Sequence, residues 1–178
     1  MSVIVEEIRK RRDLEQLRDL YVNVLGARPT VLPDSLDRGQ GSQILVAKNP
    51  QRSGILGGLT LNRNHEGVDQ LARQRGGKYA NQWANDYPLL THMAVKPEHQ
   101  GQGIGSELLR RAVELVKYRS GKMIWGFAET HDQRPSAAFY ERNGFTIHDD
   151  DGDGTFQVGE VEHASSVSRD GQFFTLEL

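Results

Sequence analysis

The chain has 178 residues, net charge −2, 37% hydrophobic residues and no cysteine. That length suits one domain, residues 1–178, large enough to bury a core. The charge gives no electrostatic case for nucleic acid or an anionic membrane, and the missing cysteines exclude disulfides, thiolate metal sites and a cysteine-linked acyl intermediate. The first residues are not an apolar leader and no long apolar span follows, so the expected location is cytoplasmic.

Val3, Val5 and Ile8 predict a first strand. Asp13 with Gln16 reads as a capping box opening a helix whose apolar face is Leu14, Leu17, Leu20, Tyr21 and Val24, ending at Gly26. Residues 28–41 hold two prolines and read as a loop, with room for a short helix at 33–36. Residues 44–47 and 55–61 predict two strands joined by a polar turn. Residues 63–88 are polar and interrupt what would otherwise be a tight hairpin. In them Tyr79, Trp83 and Tyr87 recur every four residues, three aromatics on one side of a short helix. That stripe reads either as an acceptor-pocket wall or dimer surface, which makes a homodimer possible, or as packing onto the domain.

Residues 89–117 organise the rest. An apolar run, Leu89–Val95, predicts a buried strand, and Pro97 stops it. Gln100, Gly101, Gln102, Gly103, Ile104 and Gly105 follow, and then a helix with Ile104, Leu108, Ala112, Leu115 and Val116 on one stripe. Strand, glycine turn and helix N-terminus make a phosphate site, because unpaired amides and the positive end of the helix dipole converge there. The dinucleotide fingerprint does not fit, since Ser106 stands where its third glycine belongs, and the nucleotide-triphosphate loop lacks its lysine. Gln-x-x-Gly-x-Gly, filled by Gln100, Gly103 and Gly105, is the remaining reading.

Downstream, residues 122–128 predict a strand. Residues 132–143 predict a helix with Pro135 in its first turn and Gly144 past its end. Residues 145–148 and 172–178 predict further strands with a hairpin or loop between them, so the sheet is mixed α/β. Asp149, Asp151, Asp153, Gly154 and Glu160 match a calcium-loop string, but a strand rather than a helix is predicted before it; an acidic hairpin loop is the preferred reading, with no metal assigned.

The glycine loop after Met93-Ala94-Val95, together with Ser136-Ala137-Ala138-Phe139-Tyr140-Glu141-Arg142-Asn143-Gly144-Phe145, resembles the two hallmarks of the GNAT superfamily of N-acetyltransferases, in order and spacing. The resemblance implies a largely antiparallel sheet of six or seven strands flanked by about four helices and splayed at the CoA site. It implies acetyl-CoA as cosubstrate. Met93, Ala94 and Val95 would meet the pantetheine arm, and Gln100, Gly101, Gln102, Gly103, Ile104, Gly105 and Ser106 the pyrophosphate. Gln133, Ser136, Phe139 and Tyr140 would line the cofactor, with Gln133 standing where the family often has Asn. The acetyl carbonyl would take an amide near Met93. Tyr140 is the implied acid for the departing thiolate. His92 and Glu129 (with His131 a similar candidate) are residues able to accept the amine proton. The expected function is acetyl transfer to a primary amine by direct attack in a ternary complex. The alternatives are a non-catalytic acyl-CoA-binding module of this fold and a calcium-binding protein.

Overall fold

The computed structural model describes residues 2–26, 41–129, 136–148, 155–164 and 171–178. Its fold class is mixed α/β, with a seven-strand, mostly antiparallel sheet and, among the described residues, five α-helices where about four were expected. The helix expected at 33–36 lies outside the described residues. None of the described helices is long and apolar enough to cross a membrane. The chain divides into two compact units, residues 1–62 with 90–115, and residues 63–89 with 116–178.

In the first unit β1 (Ile4–Glu7), β2 (Gln43–Lys48) and β3 (Ile55–Asn62) form an antiparallel meander. Helix α1 (Arg11–Leu25) buries Leu14, Leu17, Leu20 and Tyr21 against Ile44, Val46 and Ile55 of β2 and β3 and Ala94 of β4 (Leu89–Val95). The 3–4 spacing of those side chains makes one apolar stripe. Close packing needs the glycines of β3. A Cβ on Gly58 would collide with Leu17, and one on Gly57 would lie 2.9 Å from the Ala94 carbonyl oxygen. Gly26 ends α1 at φ +70°, as predicted.

The capping box is not formed. Helix α1 is entered three residues earlier, from Lys10 rather than Asp13, and Lys10 gives it no side-chain cap. The Asp13 carboxylate is instead buried against Lys48 Nζ at 2.6 Å, and Lys48 also reaches Glu6 at 2.8 Å. Gln16 Oε1 accepts the Ile55 amide at 3.0 Å. Both side chains are taken by β2 and β3, which a local pattern cannot foresee.

In the second unit β5 (Met123–Glu129) and β6 (Thr146–His148) flank β9 (Gly171–Glu177), both antiparallel to it. The polar stretch 63–88 is a pair of helices, α2 (His65–Arg75) and α3 (Gly77–Asp86), not one short helix. Asn64 caps α2 by accepting the Gly67 amide at 3.3 Å, and Gly76 turns the chain at φ +88°. Strands β7 (Thr155–Val158) and β8 (Val161–Ala164) form a separate hairpin.

These parts share one core. Leu71, Ala80, Trp83 and Ala84 pack with Trp125, Val158 and Val161. Trp83 Nε1 donates to the Val158 carbonyl at 3.3 Å, and Trp125 Nε1 to the Tyr87 carbonyl at 2.9 Å. The aromatic stripe therefore packs inward at Trp83, which is 3% exposed, and at Tyr87. Only Tyr79 stays at the surface, where Arg75 lies over its ring.

The Asp13–Lys48 pair generates a stability prediction. Burial lowers the Lys48 pKa, but the hydrogen bonds to Asp13 and Glu6 outweigh it, and the net shift is upward. A raised lysine pKa contributes stability that is present below the unfolded value of about 10.4 and is lost as pH rises through the folded value. Asp13→Asn should cost about 2 kcal/mol at pH 7, or about 4–8 °C in melting temperature, discounting a fully buried pair for partial exposure. The deficit should shrink near pH 11, measured by thermal unfolding followed with circular dichroism.

Candidate active site

The first unit holds the glycine loop. Lys96 N donates to the Leu56 carbonyl at 2.9 Å and fixes the end of β4. A 3₁₀ turn, Pro97–His99, follows, closed by His99 N to the Lys96 carbonyl at 2.8 Å. Gln100 Nε2 donates back to the Val95 carbonyl at 3.0 Å, and Gln102 Nε2 to the Glu98 carbonyl at 3.3 Å. Both glutamine side chains thus brace the loop from within.

The three spaced glycines differ in role. Gly101 and Gly103 have φ of +74° and +81°, left-handed conformations that disfavour any side chain. A Cβ on either would meet nothing within 4 Å, so the loop surface there is open. Gly105 already belongs to α4 (Ile104–Tyr118). The first helical bond of α4 runs from Glu107 N to the Gly103 carbonyl at 3.0 Å. The amides of Gly103, Ile104, Gly105 and Ser106 precede it, and Gly103 has no side chain with which to cap them. Ile104, 2% exposed, plugs the start of α4 into the core and holds these donors still.

On β4 Ala94 is buried under α1, while Met93 and Val95 are half-buried. The His92 ring stacks on Tyr21 at 5.4 Å, and Tyr21 Oη donates to the His92 carbonyl at 3.3 Å. Tyr21 Oη also bonds Thr60 Oγ1 at 3.0 Å, Thr91 Oγ1 donates to the Thr60 carbonyl at 3.3 Å, and Asn62 Nδ2 donates to Thr91 Oγ1 at 3.0 Å. Asn62 is 3% exposed, and its Oδ1 has no hydrogen-bond partner among the described residues. Such an oxygen costs about 1–3 kcal/mol. Sequence reading passed over this network. Its one signal is polarity at alternate positions, Thr60 and Asn62, at the end of an otherwise apolar strand.

The second unit holds Tyr140, on α5 (Ser136–Arg142). Its ring lies flat on Phe174 at 3.9 Å, and Phe139 and Phe145 meet it edge-on at 5.4 and 5.7 Å. Gly144, at φ +87°, turns the chain so that Phe145 N reaches the Tyr140 carbonyl at 3.1 Å. The Phe-Tyr-Glu-x-x-Gly-Phe string therefore encodes a packing unit around the tyrosine. Burial drives the Tyr140 pKa well above its usual value of about 10. Glu129 ends β5, opposite Gly171, and Ser136 opens α5. Gln133 and His131 lie outside the described residues.

The calcium string loses its frame. Asp149, Asp151, Asp153 and Gly154 lie outside the described residues, but strand β6 precedes them. Glu160 sits in the β7–β8 turn, 2.5 Å from Arg75. A helix–loop–helix needs helices at both ends.

Residues 40–147 match the family model described as acetyltransferase (GNAT) domain. The chain belongs to the GNAT acetyltransferase family. This GNAT protein is also similar to solved structures over nearly its whole length. An acetyltransferase of Bacillus subtilis in complex with CoA is 16% identical, with TM-score 0.64 and 99% of each chain covered. Ard1 from Thermoplasma volcanium is 14% identical, with TM-score 0.66, covering 100% of this chain and 99% of that one. The PaiA N-acetyltransferase of Thermoplasma acidophilum, in complex with coenzyme A, is 16% identical, with TM-score 0.63 and both chains fully covered. At these identities the likeness is one of fold. No curated protein sequence matches significantly.

The amides ahead of α4 also predict a selective loss. Gly103→Ala strains only the backbone, by about 1–2 kcal/mol. The melting temperature should fall by about 2–8 °C. The affinity for inorganic pyrophosphate, read by calorimetry, should fall at least tenfold, because the reshaped turn misaims its donors.

Proposed function

We propose that this GNAT protein is a single catalytic domain that moves the acetyl group of acetyl-CoA to a primary amine by direct attack. The observation that supports it best is the set of amides from Gly103 to Ser106 that precede the first helical hydrogen bond of α4, held by buried Ile104. Amides at a helix N-terminus bind a diphosphate without needing a basic side chain. The side chains of Gln100 and Gln102 brace this loop through the carbonyls of Val95 and Glu98, which leaves its backbone amides to meet the diphosphate. Acetyl-CoA, when bound, supplies the acetyl group as a thioester.

The chain supplies orientation and proton handling. In this reading the Met93 amide holds the acetyl carbonyl oxygen and stabilises the negative charge that grows there. The amine nitrogen forms a bond to the acetyl carbon, the carbon–sulfur bond breaks, and the amine gives up a proton. An amine with a pKa of about 10.4 is neutral in only about one molecule in 10³ at pH 7, so a proton acceptor speeds attack. His92 holds that role in this reading. Its ring is fixed by Tyr21, one residue from Met93. Glu129 is a second acceptor at the end of β5.

Tyr140 is the hydrogen-bond donor to the departing thiolate. A thiol pKa of about 8.5 against a phenol raised above 10 makes full proton transfer uphill by more than about 2 kcal/mol. Tyr140 therefore keeps its proton and donates a hydrogen bond. Two outcomes follow. Tyr140→Phe should keep acetyl-CoA affinity by calorimetry and lower turnover, measured as free thiol release with amines, at least tenfold. Unchanged turnover removes Tyr140 from the reaction. In the parent protein the rate should show no decline below pH 10 that disappears in Tyr140→Phe. Acetyl-CoA binding without acetyl transfer to any amine would favour a non-catalytic module.

A further inference from the structure

Each link of the polar network between α1, β3 and β4 has a direction. Thr91 Oγ1 spends its hydrogen on the Thr60 carbonyl, so its lone pair faces Asn62 and must receive a donor. Asn62 therefore presents Nδ2 to Thr91. Its carbonyl Oδ1 is left as the network's open end, buried and without a partner among the described residues. An amide oxygen accepts only, so the missing partner is a donor. Thr91 and Met93 share a face of β4, about 7 Å apart along the strand. Met93 is where the reading above puts the acetyl group. The open oxygen, on β3, thus lies beside Thr91, next to the strand that carries Met93.

We propose that Asn62 Oδ1 receives an N–H of the acceptor and so selects a primary amine. The inference rests on the amine-acetyltransferase reading and adds the residue that recognises the acceptor. The chemistry of the group suits the task. A carboxylate here would hold the acceptor as ammonium and raise its pKa, which opposes attack. A neutral amide oxygen accepts from an amine in either protonation state. The titratable members of the network are Tyr21 and His92, and neither is an acid in the carboxylate range. An amine reaches the oxygen by parting the side chains that cover the end of β3, and the new hydrogen bond offsets part of that work.

The test uses the whole protein with spermidine, n-butylamine, Nα-acetyl-lysine amide and a serine-started tetrapeptide, and follows thiol release. With the best of these, Asn62→Leu should raise the amine KM at least tenfold while the acetyl-CoA Kd stays within twofold. Gln43→Leu is the control. Gln43 Oε1 is also buried without a partner, but its register opposite Leu61 puts it on the other face from Asn62. It should leave KM unchanged. In 15N-labelled protein the Asn62 side-chain amide resonances should move on adding the amine. If Asn62→Leu folds poorly by circular dichroism, Asn62→Asp keeps the shape and should shift the rate profile to higher pH, because its charge holds the acceptor protonated. An unchanged KM in Asn62→Leu, an equal rise in Gln43→Leu, or no pH shift in Asn62→Asp overturns the proposal. Acetyl-CoA binding with no turnover of any amine instead overturns the acetyltransferase reading beneath it.

Discussion

Four backbone amides at the start of α4 have no helical carbonyl to bond, and no side chain stands at Gly103 to take them. Water can satisfy such donors at an open surface, and an anion gains most from them when their mount is rigid. The mount comes from both ends. Behind the loop, Gln100 and Gln102 tie it to the carbonyls of Val95 and Glu98. Ahead of it, Ile104 is buried and anchors the first helical turn. The positive φ of Gly101 and Gly103 lets the chain make the turn without a Cβ in the space where an anion would sit. Donors fixed before a ligand arrives cost nothing to organise when it does.

Polar groups elsewhere in the molecule are handled with the same economy. Tyr140 is enclosed by Phe139, Phe145 and Phe174, which raises the cost of ionising it and keeps its proton in place. The Tyr21–Thr60–Thr91–Asn62 network satisfies its members in sequence until the last oxygen. Among the described residues the buried amide oxygens of Asn62 and Gln43 both lack a partner, and they lie on opposite faces of the sheet.

In the second unit the β7–β8 hairpin and the polar insertion pack against one another. The turn of the β7–β8 hairpin lies against Tyr87, where even a Cβ on Gly159 would come within 2.8 Å of the ring, and Glu160 is paired with Arg75 of α2. The insertion and the hairpin stabilise one another through Trp83, Tyr87 and Val158. Each alone would expose an apolar face.

The amino-acid order by itself determined what depends on near neighbours. The apolar period of α1 and α4, the αL stops at Gly26 and Gly144, the run Leu89–Val95 and the glycine loop after it are local patterns, and their geometry is set by φ, spacing and helix ends. Tertiary structure decided the rest, because it turns on partners far away in the chain. Asp13 and Gln16 look like a cap but bond Lys48 and Ile55, 35 and 39 residues on. Gly57 and Gly58 are needed only because Ala94 and Leu17 press on them. The tyrosine could be read as functional from its motif, whereas the ring of Phe174 beneath it could not. Nor could the open oxygen of Asn62, since whether an amide is satisfied depends on what the fold brings to it, and no spacing rule counts hydrogen bonds across strands.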